Sequence, residues 1–277
     1  MKKTIFILIM FSLILTSCKP ASQKISVISA IDCLVDSTEE TVSQKFSYNE
    51  DGNLSEISTT NPHFGIDNLK TVFEYSNSGF LQKSFTYRDG KIDYWYDYKC
   101  NSEGKIIEAY KYDLDLLICY IEYIYNLNGS LAKANIYNDN SNLYCTIEYS
   151  YNDTGNIISE KYIRSGDHII CNRHNFSYSQ DDSSNLMSFS SSFPTALNQN
   201  FTLEYDPSGN LYKCTLRINF TDPDNPDQDY SYAETCTYQH TVIVATDKTT
   251  LFLSDGNQYY DPFFGIYEIE RFTDILF

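Results

Sequence analysis

The chain writes one frame again and again: Tyr, three residues, Gly, one residue, then Leu or Ile. Its clearest copy is Tyr205-Asp206-Pro207-Ser208-Gly209-Asn210-Leu211. Others run Tyr48–Leu54, Tyr75–Leu81, Tyr125–Leu131 and Tyr151–Ile157. Two degenerate copies fall in step. Cys100–Ile106 has Cys in the Tyr place, and Tyr178–Leu186 is longer, with Ser184 where Gly belongs. The pivots Gly52, Gly79, Gly104, Gly129, Gly155, Ser184 and Gly209 are separated by 27, 25, 25, 26, 29 and 25 residues. A unit recurring at that period cannot bury its apolar face alone and must stack against its neighbours.

The residues running into each pivot alternate. In Cys119-Tyr120-Ile121-Glu122-Tyr123-Ile124-Tyr125, the residues Cys119, Ile121, Tyr123 and Tyr125 share one face and Glu122 the other. Cys145, Ile147, Tyr149 and Tyr151 repeat the pattern against Glu148. Period two marks a half-buried strand, and the wealth of Tyr and Phe suits one. Asx residues before a pivot Gly, as in Asn152-Asp153-Thr154-Gly155, are tight-turn chemistry. The strand leaving the pivot opens on the Leu or Ile and ends at a second turn, such as Arg88-Asp89-Gly90-Lys91. Each unit is therefore two antiparallel strands. The leaving strands alternate less cleanly, and a bulge near the turn accounts for the phase slip.

Seven units, an N-terminal strand near Ile25–Val35 and a C-terminal set make about sixteen strands. The C-terminal candidates are Tyr230–Tyr238, Thr241–Ala245, Thr250–Leu253 and Gly265–Phe272. The fold class is all-β, an antiparallel meander. So long a meander must curl or close, because a flat sheet leaves open edges. The expectation is a closed or nearly closed up-and-down barrel, with an open spiral sheet as the alternative.

The frames at Tyr151–Ile157 and Tyr205–Leu211 resemble YD (RHS-type) repeats over roughly residues 46–212. Residues 1–17 read as an export signal: Lys2 and Lys3, the apolar run Ile5–Leu15, and the ending Leu15-Thr16-Ser17-Cys18. That ending resembles a bacterial lipobox, which implies that Cys18 is lipidated and that residues 18–24 form a tether. Together these features are similar to small envelope lipoproteins of unknown function that carry degenerate YD repeats and a porin-like barrel. That resemblance implies a place in the bacterial cell envelope, on the outer membrane, held by the N-terminal lipid. It supplies no catalytic residues.

Residues 25–277 carry the repeat without a linker-like break and read as a single domain. Loss of Lys2 and Lys3 takes the formal charge from −17 to −19. So acidic a surface repels polyanions, which argues against nucleic acid as a partner.

Departures from the frame are the places to look for function. Trp95, the one tryptophan, is flanked by Tyr94 and Tyr96 but has the opposite parity. On a solvated face it offers a ring for a glycan or a protein ligand. Asp222, Asp224, Asp227 and Asp229 alternate in a Pro-containing loop with oxygen ligands suited to Ca²⁺, although the Gly and distal Glu of an EF-hand loop are missing. Seven cysteines follow Cys18, so at least one is unpaired. Cys119 and Cys145 are core fillers one repeat apart, while Cys214 and Cys236 face each other in an expected hairpin and are the disulfide candidates. No triad, zinc or nucleotide motif occurs, and the chain reads as a non-enzyme without a cofactor. A non-catalytic binding module for a glycan or protein is the leading expectation. A structural or assembly lipoprotein, or a carboxylate-based hydrolase, is the alternative.

Overall fold

The computed structural model describes residues 23–35, 40–61, 66–167, 170–178, 186–192, 197–221 and 229–245, and every regular element among them is a strand. In chain order these are β1 (Gln23–Val35), β2 (Glu40–Tyr48), β3 (Leu54–Asn61), β4 (Ile66–Tyr75), β5 (Leu81–Arg88), β6 (Lys91–Cys100), β7 (Ile106–Asp113) and β8 (Leu116–Tyr125). The second half continues with β9 (Leu131–Asn138), β10 (Leu143–Tyr151), β11 (Ile157–Arg164), β12 (Ile170–Tyr178), β13 (Leu186–Ser192), β14 (Leu197–Tyr205), β15 (Leu211–Thr221) and β16 (Asp229–Ala245). Each pairs antiparallel with its chain neighbours, and β1 closes on β16. The barrel is closed, which removes the spiral alternative. Two boundaries differ from expectation. β1 takes Gln23 and Lys24 from the tether, and β16 runs unbroken through the two strands expected at Tyr230–Tyr238 and Thr241–Ala245. The strands expected at Thr250–Leu253 and Gly265–Phe272 lie outside the described residues.

Every position of the frame now has a physical role. The residue after the tyrosine caps the turn. Asn49 Oδ1 accepts the backbone N–H groups of Asp51 and Asn53 at 3.1 and 2.9 Å, and Asp206 Oδ1 those of Ser208 and Asn210 at 2.8 and 2.9 Å. The N–H of Asn210, first among these donors, holds the Asp206 carboxyl below the usual range. The pivot glycine sits at φ between 80° and 86° at Gly52, Gly79, Gly104, Gly129, Gly155 and Gly209, where an L side chain is strained. The frame's Leu or Ile packs inward, with Leu81, Ile157 and Leu211 at most 2% exposed.

The tyrosine reaches backwards. Tyr75 donates its hydroxyl to the Leu54 carbonyl, Tyr125 to Ile106 and Tyr151 to Leu131, each at 2.7 Å. In each case the acceptor is the frame's Leu or Ile one repeat earlier. Where Cys100 replaces tyrosine, its thiol meets the Leu81 carbonyl at 3.4 Å. These bonds tie one two-strand unit to the next independently of the strand ladder.

The phase slip resolves into one repeated bulge. Ser47 opposes Glu56 and Tyr48 opposes Leu54, which leaves Ser55 over. Gln82, Ile107, Ala132, Ile158, Met187 and Tyr212 are left over in the same way, always just after the frame's Leu or Ile.

The closing pair completes the series. His240 on β16 opposes Ile28 on β1, Gln239 opposes Ala30, and Ser29 is left over. His240 Nε2 meets the Leu211 carbonyl at 2.7 Å, and Tyr48 donates to the Ile28 carbonyl at 2.7 Å. His240 thus stands in the tyrosine place and Ile28 in the leucine place of an eighth unit. β1 and β16, the first and last of the described strands, build it, and no turn joins them.

Parity sorts the wall into two faces. Inward lie Ile57, Phe73, Tyr96, Ala109, Ile121, Ala134, Ile136, Ile147 and Tyr162 in one core cluster. A second cluster gathers Leu203, Leu211 and Cys214. Tyr96, Ile121 and Ile147 are fully buried, so this stretch of wall encloses packed side chains where a wide round barrel would leave a channel.

Two measurements test this account. Nothing lies within 4 Å of the point to which a Cβ would project from Gly155, whereas at Gly104 a Cβ would lie 2.7 Å from the Phe80 ring. Gly155→Ala should therefore cost about 1–2 kcal/mol of unfolding free energy from the left-handed conformation alone, and Gly104→Ala measurably more. Equal costs in urea titration would remove the Phe80 contact from the explanation. Burial, with Cys100 and Glu160 as the next causes, pushes the hydroxyls of Tyr125 and Tyr151 up to about 12. Against about 10 in the unfolded chain, their contribution is whole below pH 10 and is lost as the pH rises through 12. Tyr151→Phe should flatten that alkaline loss; an unchanged alkaline limb would sink the assignment.

Candidate functional site

Trp95 lies on the outer face of β6, while Tyr94 and Tyr96 point to the packed interior, where Tyr96 is 0% exposed. The three residues that the sequence groups as a ligand site are therefore split by the wall. Cross-strand register places Phe85, Trp95 and Tyr112 in one row on β5, β6 and β7. Trp95 is stacked on both sides. Tyr112 lies at 4.3 Å between centroids with 11° between planes, and Phe85 at 6.0 Å with 22°. The Lys83 ammonium lies 5.0 Å from the indole centroid, and the indole N–H donates to the Leu114 carbonyl at 2.7 Å. Both faces of the half-buried indole are thus turned to neighbouring rings.

A second outer row stacks Tyr110, Tyr120 and Tyr137 across β7, β8 and β9, with centroids 5.5 and 4.5 Å apart. Charged rows flank these ladders. Lys99 pairs with Glu108 at 2.6 Å and donates to the Tyr110 hydroxyl at 3.1 Å. The Lys99 bond holds the Glu108 carboxyl below its usual range. Lys70 pairs with Glu56 and Lys213 with Glu204, also outside. No helix among the described residues is long and apolar enough to cross a membrane. Glu56, Lys99, Glu108, Glu204 and Lys213 all stand on the outer face within two residues of a frame's first or last residue, close to the glycine turns.

The interior holds two ionisable groups that sequence reading passed over. Lys111 is 5% exposed, its ammonium 4.5 Å from the Tyr94 ring centroid and 6.0 Å from that of Tyr96, a cation–π seat. Glu160 is 2% exposed and stands in register between Tyr149 and His174. Burial, then the neighbouring Glu160 charge, pushes the Tyr149 hydroxyl well above its ordinary value. Parity was the signal that could have found both, since Lys111 alternates with Ala109 and Glu160 with Tyr162.

The two rims differ. The six glycine turns share one rim with the start of β1 at Gln23, because β1 runs antiparallel to β2. The opposite rim carries the irregular connections and a group of exposed apolar residues. Leu114 and Leu116 are 66% and 72% exposed at the β7–β8 turn, with Ile92 and Leu143 exposed on nearby strands. Leu114 takes φ 50°, uncommon for a branched side chain.

Cys214 is a free, buried thiol, and its backbone lies directly opposite Cys236, the register that the expected hairpin requires. Cys119 and Cys145 are buried, as core fillers should be. Cys18 and the carboxylates Asp222, Asp224 and Asp227 lie outside the described residues, and of Asp229 only the backbone, at the start of β16, is described. Among the described residues no three His, Cys, Asp or Glu side chains gather as a metal cluster.

No protein-family model matches the sequence, and no curated protein does. Among solved structures, a porin-like protein from Bacteroides uniformis ATCC 8492 is similar, with 13% identity, a TM-score of 0.55, and cover of 77% of this chain and 96% of that one. A porin-like protein from Bacteroides vulgatus ATCC 8482 matches at 12% identity with a TM-score of 0.34, over 77% of this chain and 98% of that one. A TcdB2-TccC3 structure matches at 16% identity with a TM-score of 0.33, over 70% of this chain and 10% of that one. The first likeness establishes a shared barrel fold; the other two superpose too loosely to bear on it.

The single tryptophan makes the ladder measurable. Tyr112→Ala should uncover one indole face, shift the Trp95 emission to longer wavelength and cost about 0.5–1.5 kcal/mol beyond lost area. Emission identical to the parent's would show that the indole is not sandwiched.

Proposed function

We propose that the chain is an exported lipoprotein, held to the outer membrane of a bacterial envelope through Cys18, whose filled barrel presents its far rim to a protein partner. One directional observation carries the reading. β1 begins at the glycine-turn rim only five residues after Cys18. Five residues span at most about 18 Å. A lipid on Cys18 thereby keeps the uniform rim near the membrane and turns the irregular rim away.

Three further observations support the reading. The frames are read as degenerate YD repeats, here serving as wall. The outward charge rows and the closed interior fit a barrel that stands in water and conducts nothing. The covered faces of Trp95 favour a protein over a glycan, and the exposed Leu114, Leu116, Ile92 and Leu143 beside the aromatic rows form the apolar centre that protein interfaces use. Catalysis is not part of the proposal. The buried carboxylate of Glu160 sits inside the packed wall, out of reach of a polymeric substrate.

Co-purification from detergent extracts of native envelopes tests this. The variant Leu114→Asn with Leu116→Ser keeps the turn, because Asn favours the left-handed region. A partner retained by the parent should be lost tenfold or more by the variant, with unchanged melting. Retention of the same partner by both forms overturns the rim assignment. A membrane fraction unaffected by Cys18→Ser overturns the anchor.

A further inference from the structure

Three cysteines stand side by side where the barrel closes. The register sets Cys33 on β1 opposite Cys236 on β16, and Cys236 opposite Cys214 on β15. Directly opposed residues of an antiparallel pair have Cα atoms about 4.5 or 5.5 Å apart. Both values fall within the roughly 4.4–6.8 Å that a disulfide accepts. Cys236 therefore has two candidate partners and can bond to only one.

Cys214 is a buried free thiol in the cluster with Leu203 and Leu211, and it shares a hydrogen bond with Tyr238. Burial pushes that thiol up to about 11, so its thiolate is scarce and its attack on a disulfide is slow. Cys33 lies on the other side of the closing pair, where no turn joins the two strands.

We propose that Cys236 forms a disulfide with Cys33 across the closing pair, with Cys214 held beside it as a thiol that can exchange into the bond. The oxidant is a low-molecular-weight disulfide. The Cys33 thiolate attacks one of its sulfurs and expels one thiolate. Cys236 then attacks the Cys33 sulfur of the mixed disulfide and expels the second. Two protons leave the protein, and its two electrons leave on the two released thiols. Exchange needs no further oxidant, since the Cys214 thiolate attacks Cys236 Sγ and releases Cys33 as thiolate. The bond joins the eighth unit covalently and encloses 204 of the 277 residues, a long loop of the kind whose cross-linking restrains the unfolded state most. Its formation in the cell rests on the exported location proposed above, where disulfides persist.

Peptide mapping by mass spectrometry tests the pairing without depending on that location. The purified full chain is equilibrated with a glutathione redox couple, quenched with acid and alkylated after denaturation. The expected map shows Cys33 linked to Cys236 in most molecules and Cys214 alkylated. In Cys33→Ser the linkage moves to Cys214–Cys236. Recovery of Cys236 as a free thiol, or joined to Cys214 or Cys171 in the parent, overturns the proposal. Alkylation inside intact cells forms the second arm. A chain that oxidises in vitro as expected but is fully reduced in cells overturns the exported location and leaves the pairing standing.

Discussion

The hydrogen bonds from Tyr75, Tyr125 and Tyr151 to the carbonyl one repeat back fasten successive units at the glycine-turn rim, beside the ladder that pairs their strands. A hairpin ladder joins only adjacent strands, and a single hairpin is marginal in water. The bonds from Tyr75 to Leu54, Tyr125 to Ile106 and Tyr151 to Leu131 join the last residue of one strand to the first residue of the adjacent strand in the unit before, and fix how far each unit is offset from the last. Each such bond contributes about 1 kcal/mol net, but its larger effect is on register. The bulge after each leucine needs a constant offset, and the tyrosine supplies it. Cys100 keeps the position with a longer, weaker contact at 3.4 Å, so the wall tolerates one poor link between good ones.

A constant offset has a second effect, on the outside. Because every unit advances alike, outer residues fall into continuous rows around the wall. Phe85, Trp95 and Tyr112 stack in one, and Tyr110, Tyr120 and Tyr137 in the next. The aromatic rings spend their faces on each other. Ring edges are left outward, and among the described residues Leu114 and Leu116 stand exposed at the far rim.

Sequence reading reached the fold further than it reached the site. The period of the frame implied paired strands, and the strand count implied closure. The parity of Cys119, Ile121 and Tyr123 against Glu122 gave the inward face correctly. Trp95 was also placed on the correct side by parity alone. Its neighbours were not legible, because Phe85 and Tyr112 lie 10 and 17 residues away in sequence and meet it only through registers that the turns set. Lys111 and Glu160 were missed for a different reason. Charge is ordinarily a mark of the solvated face, and at these two positions alternation outweighs it. The eighth unit escaped notice because its tyrosine has become His240, its leucine Ile28, and its turn is absent.

That divided unit imposes an order on events. Every other pairing joins chain neighbours and can zip as soon as its second strand exists. The pairing of β1 with β16 joins residues such as Cys33 and Cys236, and must wait for β16 to arrive. Until then the sheet stands open, with a bare strand at each side ready to accept any chain that presents the missing half. A second copy presents that half as well as the protein's own end does, and exchange of ends between copies is a low-cost route to dimers. Whether a molecule becomes a barrel or a swapped pair is then a race, decided by how crowded the copies are while β16 is still on its way.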